Sequence, residues 1–401
     1  MRIIWPVIFS FTLLSLFSLI VFVFLKYLNN TWWKSKIIRR IALLIPILGI
    51  LSMAVWVVSY NMKIIWLAST GSLLAVAVVV TLLGLIISLP FSGILNKIHA
   101  FLEKRAARKA ASGPEKVDRQ RRAFLKGAAA AVPLVTMTTG GAGIARSFRG
   151  TNVYRLPLRF ENLPPQLDGL KILHISDPHL GIYKSLSDIE DIIAKADEFK
   201  PDIVLLTGDI ADDLSLLPDA LKISASLNPG YGTYASLGNH EYYRGINEVL
   251  KNYDKSSVPL LRSSGVTIDV DGAALYIAGA DDPVHMRRDN SAFLKKTIER
   301  GLDGAASDAF HLLMSHRPEG FDQAAEFGVD LTLAGHTHGG QVGIYGRSFW
   351  EPFMPGRYLW GKYEKGPSQM YLTAGIGHWF PFRLGCPPEA PVIELVSGNN
   401  I

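Results

Sequence analysis

Hydrophobic and polar positions divide this chain into two unlike halves. Up to about residue 90 the apolar positions form long unbroken runs. These are Ile3 to Tyr27, with no charge between Arg2 and Lys26, then Ile41 to Tyr60, then Ile64 to about Leu89. At about 1.5 Å rise per residue, each run is long enough to cross a bilayer as a helix. A fourth, milder segment from Gly127 to Ala145 also lacks charge, but it is rich in glycine, alanine and threonine and contains Pro133. Beyond about Thr151 the pattern shortens to that of a folded α/β domain.

In that second half, Asn152 to Phe160 alternates apolar and polar residues and predicts a strand, and Pro164, Pro165, Asp168 and Gly169 predict a turn. Leu170 to Ile175 is a short apolar run, read as a buried strand. Leu186 to Phe199 has apolar residues at helical spacing, with Ser187 as N-cap and Pro201 beyond its end. Further strands are predicted at 202–207, 231–237, 310–314, 329–334, 370–373 and 392–396. A hairpin is predicted about Asp271-Gly272, and helices at 219–227 and 291–300.

Charge adds a topology to this picture. The chain of 401 residues carries a formal charge of +6. The excess falls in the loops between the apolar runs: Lys26, Lys34, Lys36, Arg39 and Arg40 between the first and second, only Lys63 after the second, and ten Lys and Arg from Lys97 to Lys126 after the third. Basic loops face the cytoplasm. The N-terminus is therefore expected outside, and the third span is expected to end inside. The stretch 97–126 has Phe101 and Phe124 but no interleaved aromatic pattern for stacking on bases, so no nucleic-acid partner is expected.

Arg121-Arg122-Ala123-Phe124-Leu125-Lys126 before the mild segment resembles a twin-arginine export signal, and Gly143-Ile144-Ala145 has the small-x-small pattern of a processing site. As export signal or as fourth span, the segment places the C-terminal domain outside the cytoplasm, at the inner membrane. The twin-arginine translocation machinery is then a candidate partner. A third reading, favoured by Pro133 and the many glycines, leaves the segment uninserted and the domain inside. The expected organisation is three transmembrane helices in 1–90, a basic loop in 91–126, a fourth hydrophobic segment and linker in 127–149, and a catalytic domain in 150–401. The single cysteine, Cys386, excludes an internal disulfide and a thiolate metal site.

The candidate chemistry sits where strands stop. Asp177 and His179 follow the strand that ends at Ile175. Asp209 follows the next strand, Asn239 and His240 another, His316 another, and His336 and His338 the last. Carboxylate oxygen and imidazole nitrogen suit a divalent metal, and the C-terminal ends of parallel strands share one rim. Half of the ten histidines fall in these segments, directly after apolar runs.

These segments, Asp177-Pro178-His179, Gly208-Asp209, Gly238-Asn239-His240-Glu241, His316 and Gly335-His336-Thr337-His338, resemble in order the calcineurin-like metallophosphoesterases. Phe382-Arg383 and Pro387-Pro388-Glu389 look like a membrane-anchored bacterial branch of them. The resemblance implies an α/β fold, a four-layer α/β/β/α sandwich, preceded here by the all-α transmembrane region. It implies two divalent ions, manganese, iron or zinc. Asp177, His179 and His338 would hold one, Asn239, His316 and His336 the other, and Asp209 would bridge them. It implies that His240 is no ligand but the catalytic group at the phosphoryl or leaving oxygen, with Glu241 orienting it. The expected reaction is attack of a metal-bridging hydroxide on a phosphodiester or monoester.

Arg383 is the candidate for gripping a substrate phosphate, with a surface salt bridge as its simpler role. His378, Trp379 and Phe380 are candidates to line a lipid or sugar pocket. Asp281-Asp282 is a candidate support for the site or a plain turn, and Cys386 is expected to be structural. The expected partners are the bilayer and a phosphorylated envelope or lipid substrate. Two alternatives stand beside this reading. One is a pyrophosphate hydrolase for a UDP-linked acylated sugar, as in lipid A type synthesis. The other is a metal-binding sensor without catalysis.

Overall fold

The computed structural model describes residues 4–110, 119–284, 290–378 and 380–398. Two compact units divide the chain, residues 1–145 and 146–401.

The first unit is helical: α1 (Ile4–Val23), α2 (Asn30–Trp33), α3 (Lys36–Asn61), α4 (Ile65–Ala110) and most of α5 (Arg119–Ser147). Among the described residues, four helical stretches are long and apolar enough to cross a membrane: Ser10–Leu28, Lys36–Asn61, Ile65–Ala106 and Ala123–Ser147. Their outward faces carry large apolar side chains, among them Leu19, Leu44 and Trp66, as expected of surfaces that meet lipid. Asn29 is the main internal polar tie. Its amide donates to the Leu89 carbonyl at 2.9 Å and its oxygen accepts from Asn96. α4 does not stop near Leu89. It continues through the basic stretch to Ala110, because Lys, Arg, Ala and Leu are good helix formers and nothing caps it earlier. Lys116, part of the basic stretch, lies outside the described residues.

The second unit is the α/β domain. In chain order it contains β1 (Asn152–Phe160), β2 (Lys171–Ile175), α6 (Leu186–Ala196), β3 (Ile203–Thr207), α7 (Leu217–Ala225), β4 (Thr233–Ser236), α8 (Asn239–Tyr253), β5 (Ser264–Val270), β6 (Ala273–Gly279) and α9 (Asn290–Gly301). It continues with β7 (Phe310–Met314), α10 (Gly320–Glu326), β8 (Leu331–Ala334), β9 (Gly343–Ile344), β10 (Arg347–Ser348), β11 (Gly361–Lys365), β12 (Ser368–Leu372) and β13 (Glu389–Ser397). One sheet has the order β1-β13-β2-β3-β4 and the other β11-β12-β8-β7-β6-β5.

The sheets pack face to face. Ile172, Leu205, Ile393 and Leu395 from one meet Leu275, Leu312, Leu331 and Leu333 from the other in one apolar core. The outer face of the first sheet, with Val204 and Leu206, is covered by Ile189 and Ile192 of α6, Leu221 of α7 and Val249 of α8. Leu294 and Ile298 of α9 and Ala324 of α10 cover the second. The result is four layers, helix, sheet, sheet, helix. The N-cap of α6 is Ser185 rather than Ser187. Its side chain and that of Asp188 close a capping box, an arrangement Ser187, already inside the helix, cannot make. β1 pairs in parallel with β13, which pairs antiparallel with β2, so the last strand is wedged between the first two.

Candidate metal centre

β2, β3 and β4 run parallel in one sheet, and β7 and β8 run parallel in the other. Their C-terminal ends meet at one edge of the sandwich, and each strand stops just before a predicted ligand. The backbone then turns sharply. Asp177, His179, Asp209, His336 and His338 all have φ between 49° and 73°, the left-handed region that non-glycine residues avoid. Such strain persists only where the surroundings enforce it, and it concentrates at functional sites. Space is as restricted as conformation. A Cβ on Gly208 would lie 2.5 Å from the Gly238 nitrogen, and one on Gly335 would lie 2.2 Å from Asp177 Oδ2.

The side chains converge. Asp177, His179 and His338 offer ligand atoms within 4.8 Å of one another, and so do Asp209, His316 and His336. Asp209 also forms such a group with His179 and His240, which links the two clusters. His316 Nε2 lies 3.2 Å from Asp209 Oδ2 and 3.9 Å from Asp177 Oδ1. His179 Nε2 is 3.7 Å from Asp209 Oδ2, and His338 Nε2 is 3.6 Å from Asp177 Oδ1. Most of these separations are too long for hydrogen bonds, and all suit atoms that share a cation between them.

Whether these residues fit metal ions is answered by what they leave unmade. Asn239 Oδ1, His316 Nε2 and both ring nitrogens of His179 are buried without a hydrogen-bond partner. Buried polar atoms are normally paired, and orphans gathered in one pocket mark the place of a missing partner. His316 is also set in a ligating tautomer. Its Nδ1 meets the Thr207 carbonyl at 2.9 Å, which fixes one proton there and leaves Nε2, facing the carboxylates, as the nitrogen that would ligate once deprotonated. Burial alone would lower the pKa of His179, but Asp212, Asp209 and Asp177 overcome it and push it up to about 9. Burial is likewise outweighed at His316, which Asp209 and Asp177 push up to about 10. Burial would raise Asp209, yet His316, His240 and His179 hold it well below the usual carboxylate range. The pocket thus draws positive charge to its centre. His336 and His338 are both lowered, first by burial, His336 to about 3. Neutral imidazole is the form that ligates.

His240 stands beside this cluster, with Nε2 3.9 Å from Asp209 Oδ2. Its orienting group is Asp212, whose Oδ1 is 2.6 Å from His240 Nδ1. Glu241 does not touch the ring. Its carboxylate accepts from the backbone N–H groups of Asp209, Ile210 and Gly238 at 2.8–2.9 Å, so it braces the strained Gly208-Asp209 turn. The reason is position: Glu241 is the third residue of α8 and its side chain reaches back to the helix start, away from His240. Asp212 was open to discovery in the sequence, as a second carboxylate three residues after Asp209.

Arg383 is neither a surface ion pair nor an open phosphate grip. It is 1% exposed, and its guanidinium donates to the carbonyls of Ala374, Gly375 and Gly377, behind His338. The Gly375 carbonyl also accepts from the Glu389 N–H at the start of β13, and Nη1 of the same guanidinium turns to the Cys386 and Pro387 carbonyls, so the buried charge is held by backbone oxygens on both sides. Asp282 pairs with the buried Arg317 at 2.9 Å, and Arg317 in turn lies 3.0 Å from His336 Nε2. Asp281 instead accepts from Tyr242 and Arg262. His378 is buried against Phe148 and Tyr183, with both ring nitrogens unpartnered. Trp379 lies outside the described residues. Cys386 is buried with Trp360 and Ala374.

A two-sheet α/β sandwich with Asp, His and Asn gathered at one edge defines a candidate metal-binding α/β domain. Residues 170–340 match the profile of the calcineurin-like phosphoesterases. An uncharacterized metallophosphoesterase of Bacillus subtilis, YkuE, is 30% identical over 295 residues, which cover 70% of this chain and 98% of that protein. One from Aquifex aeolicus is 30% identical over 260 residues, covering 62% of this chain and 93% of that protein. A zebrafish (Danio rerio) transmembrane protein with metallophosphoesterase domain is 27% identical over 272 residues, covering 65% of this chain and 61% of that protein. The chain belongs to the calcineurin-like phosphoesterase family.

Proposed function

We propose that this chain is a membrane-anchored, two-metal phosphoesterase that hydrolyses a phosphate ester of a membrane or envelope component. One observation carries the reading: two Asp/His clusters joined through Asp209, with unpartnered ligand atoms between them. Asp177, His179 and His338 would hold one ion, Asn239, His316 and His336 the other, and Asp209 both. Bound there, divalent ions supply charge neutralisation for phosphoryl oxygens and acidify water. A shared carboxylate offsets the repulsion of two nearby cations. His240, held by Asp212, sits at the cluster's edge with Nε2 free to give a proton to the departing oxygen.

The helices that can span a membrane, and the transmembrane relative, support membrane anchoring. The basic loops support an inner-membrane, multi-pass arrangement with the phosphoesterase domain on the outer side. A reporter fused after Ile401 tests that side, and activity of only a cytoplasmic reporter overturns it. The reaction is tested with purified protein, added manganese and p-nitrophenyl phosphodiester or monoester. Asp209→Asn is expected to abolish turnover, and His240→Ala to slow it with metal content kept. No turnover with any divalent metal in folded protein refutes the enzyme reading and leaves a metal-binding sensor. Loss of both ions in His240→Ala refutes the role given to His240.

A further inference from the structure

Soon after His338 the chain forms a small platform with an unusual outer surface. β9 and β10 pair through a two-residue turn, Tyr345-Gly346, in which both residues have positive φ, 52° and 76°. That geometry favours Asn or Gly at the first position, and a bulky residue there is strained. Tyr345 is nonetheless fully exposed at 100%, with no packing to offset the strain. Around it Ile344, Phe349, Trp350, Phe353 and Met354 are also exposed, and Phe349 meets Trp350 edge to face and Phe353 at a tilt. Exposed apolar side chains gathered this way mark an interaction surface.

The platform is rigid beneath. The Gly343 N–H donates to the Leu384 carbonyl, Phe349 N–H to the Val342 carbonyl, and the Trp350 indole to the Gly340 carbonyl. Gly343 packs on the buried Trp360, where a Cβ would come within 2.6 Å of the ring.

Its place in the domain says what it meets. Gln341 donates to the Phe380 carbonyl at 2.6 Å, tying the platform to residues 380–384, whose Arg383 lies behind His338 on the rim of the metal site. Just before these residues His378 packs against Phe148, at the point where the chain enters the domain. Only residues 148–151 separate the end of α5 from β1. A stretch of that length reaches on the order of 15 Å, so the surface the domain meets at highest effective concentration is the bilayer. Tyr and Trp are residues that settle at lipid headgroups, and the exposed Arg357 lies close by in the chain, while Arg347 is held by Glu351 and the Lys362 carbonyl.

We propose that the Tyr345 hairpin and its aromatic neighbours form a bilayer-docking surface that seats the rim of the metal site on the lipid headgroups. The inference rests on the proposed phosphoesterase activity for its consequence, a substrate presented at the membrane surface, and not for its test. In full-length protein carrying Tyr345→Cys, an environment-sensitive fluorophore is attached. The native Cys386 is buried and does not compete. The protein is reconstituted in nanodiscs of phosphatidylglycerol and phosphatidylethanolamine, and Asp271→Cys, at the tip of the β5–β6 turn, serves as control.

The expected result is a blue-shifted emission at position 345, quenched by nitroxide-labelled lipid and shielded from iodide, with the reverse at position 271. Iodide quenching without lipid quenching at 345 overturns the proposal. Self-quenching between labelled copies without lipid quenching also overturns it, in favour of a second copy as occupant. Neither readout depends on turnover, so a failed docking result leaves the phosphoesterase reading intact, and an inactive protein leaves the docking result intact.

Discussion

Asp212→Asn is the sharpest test of how this site moves a proton. The change keeps the shape of the side chain and removes its charge. The carboxylate sits 2.6 Å from His240 Nδ1 and also accepts from Arg244 Nε at 3.0 Å. Burial would raise its pKa, but the imidazoles of His179 and His240 beside it hold it well below the ordinary value, so it is charged at neutral pH. A hydrogen bond to a charged group contributes about 1.5–3 kcal/mol. If that stabilisation acts on His240 as it donates, its loss lowers kcat by about 10- to 150-fold. KM is expected to change little, since Asp212 touches no predicted ligand of a phosphate ester. The assay is steady-state turnover of a p-nitrophenyl phosphodiester with manganese, with metal content measured in parallel. The double variant Asp212→Asn/His240→Ala supplies the decisive comparison. It should be no slower than His240→Ala alone, because residues that act as one unit are not additive. Full additivity refutes the dyad. So does a loss of metal in Asp212→Asn that accounts for the whole effect, since Asp212 Oδ2 also lies 3.6 Å from His179 Nδ1.

Three further outcomes are expected. Glu241→Gln sets an amide donor against at least one of three buried N–H groups. Burial and the nearby Asp209 push the Glu241 carboxyl up, which offsets part of its benefit, so the expected cost is about 2–4 kcal/mol. That corresponds to a melting-point fall of roughly 5–15 °C, and an unchanged melting point counts against the bracing role. In Gly377→Ala a Cβ would stand 2.0 Å from the Pro178 carbonyl oxygen. The Asp177-Pro178-His179 turn must then shift, at about 1–3 kcal/mol. The protein should bind less metal by elemental analysis, and full occupancy would show that the turn tolerates displacement. Finally, His179 and His316, pushed up to about 9 and about 10, carry protons near pH 7 and must lose them to ligate. Manganese titrated into stripped protein should therefore release protons, and affinity should rise with pH between about 6 and 9. Binding heats independent of buffer ionisation enthalpy would contradict this.

The strand ends that carry the candidate ligands were legible because strand and turn are local. An apolar run ending in Ser176-Asp177 or Gly208-Asp209 states in a few residues where a strand stops and which side chain stands at its end. The joining of those turns is not local. Asp212 lies only three residues past Asp209, but its importance depends on α8 bringing His240 to it from β4. Arg383 shows the opposite failure. Arginine is usually exposed, and only the fold reveals that the loop 374–377 leaves carbonyls for it to satisfy. α8 itself escaped the periodicity reading, because its first turn is the Asn239-His240-Glu241 motif and Gly245 breaks its helical backbone. The continuation of α4 to Ala110 was hidden for another reason: a run of lysine and arginine signals topology more loudly than it signals helix.

The two sheets contribute unequally to the same edge, β2, β3 and β4 from one and β7 and β8 from the other. Any ion held between Asp177 or Asp209 and His316, His336 or His338 would therefore rivet one sheet to the other. Occupancy would then bear on stability as well as on any turnover, since a ligand that binds only the folded state adds its binding free energy to stability. In a metal-starved cell the seam would open first, and the emptied domain would become the better substrate for proteases.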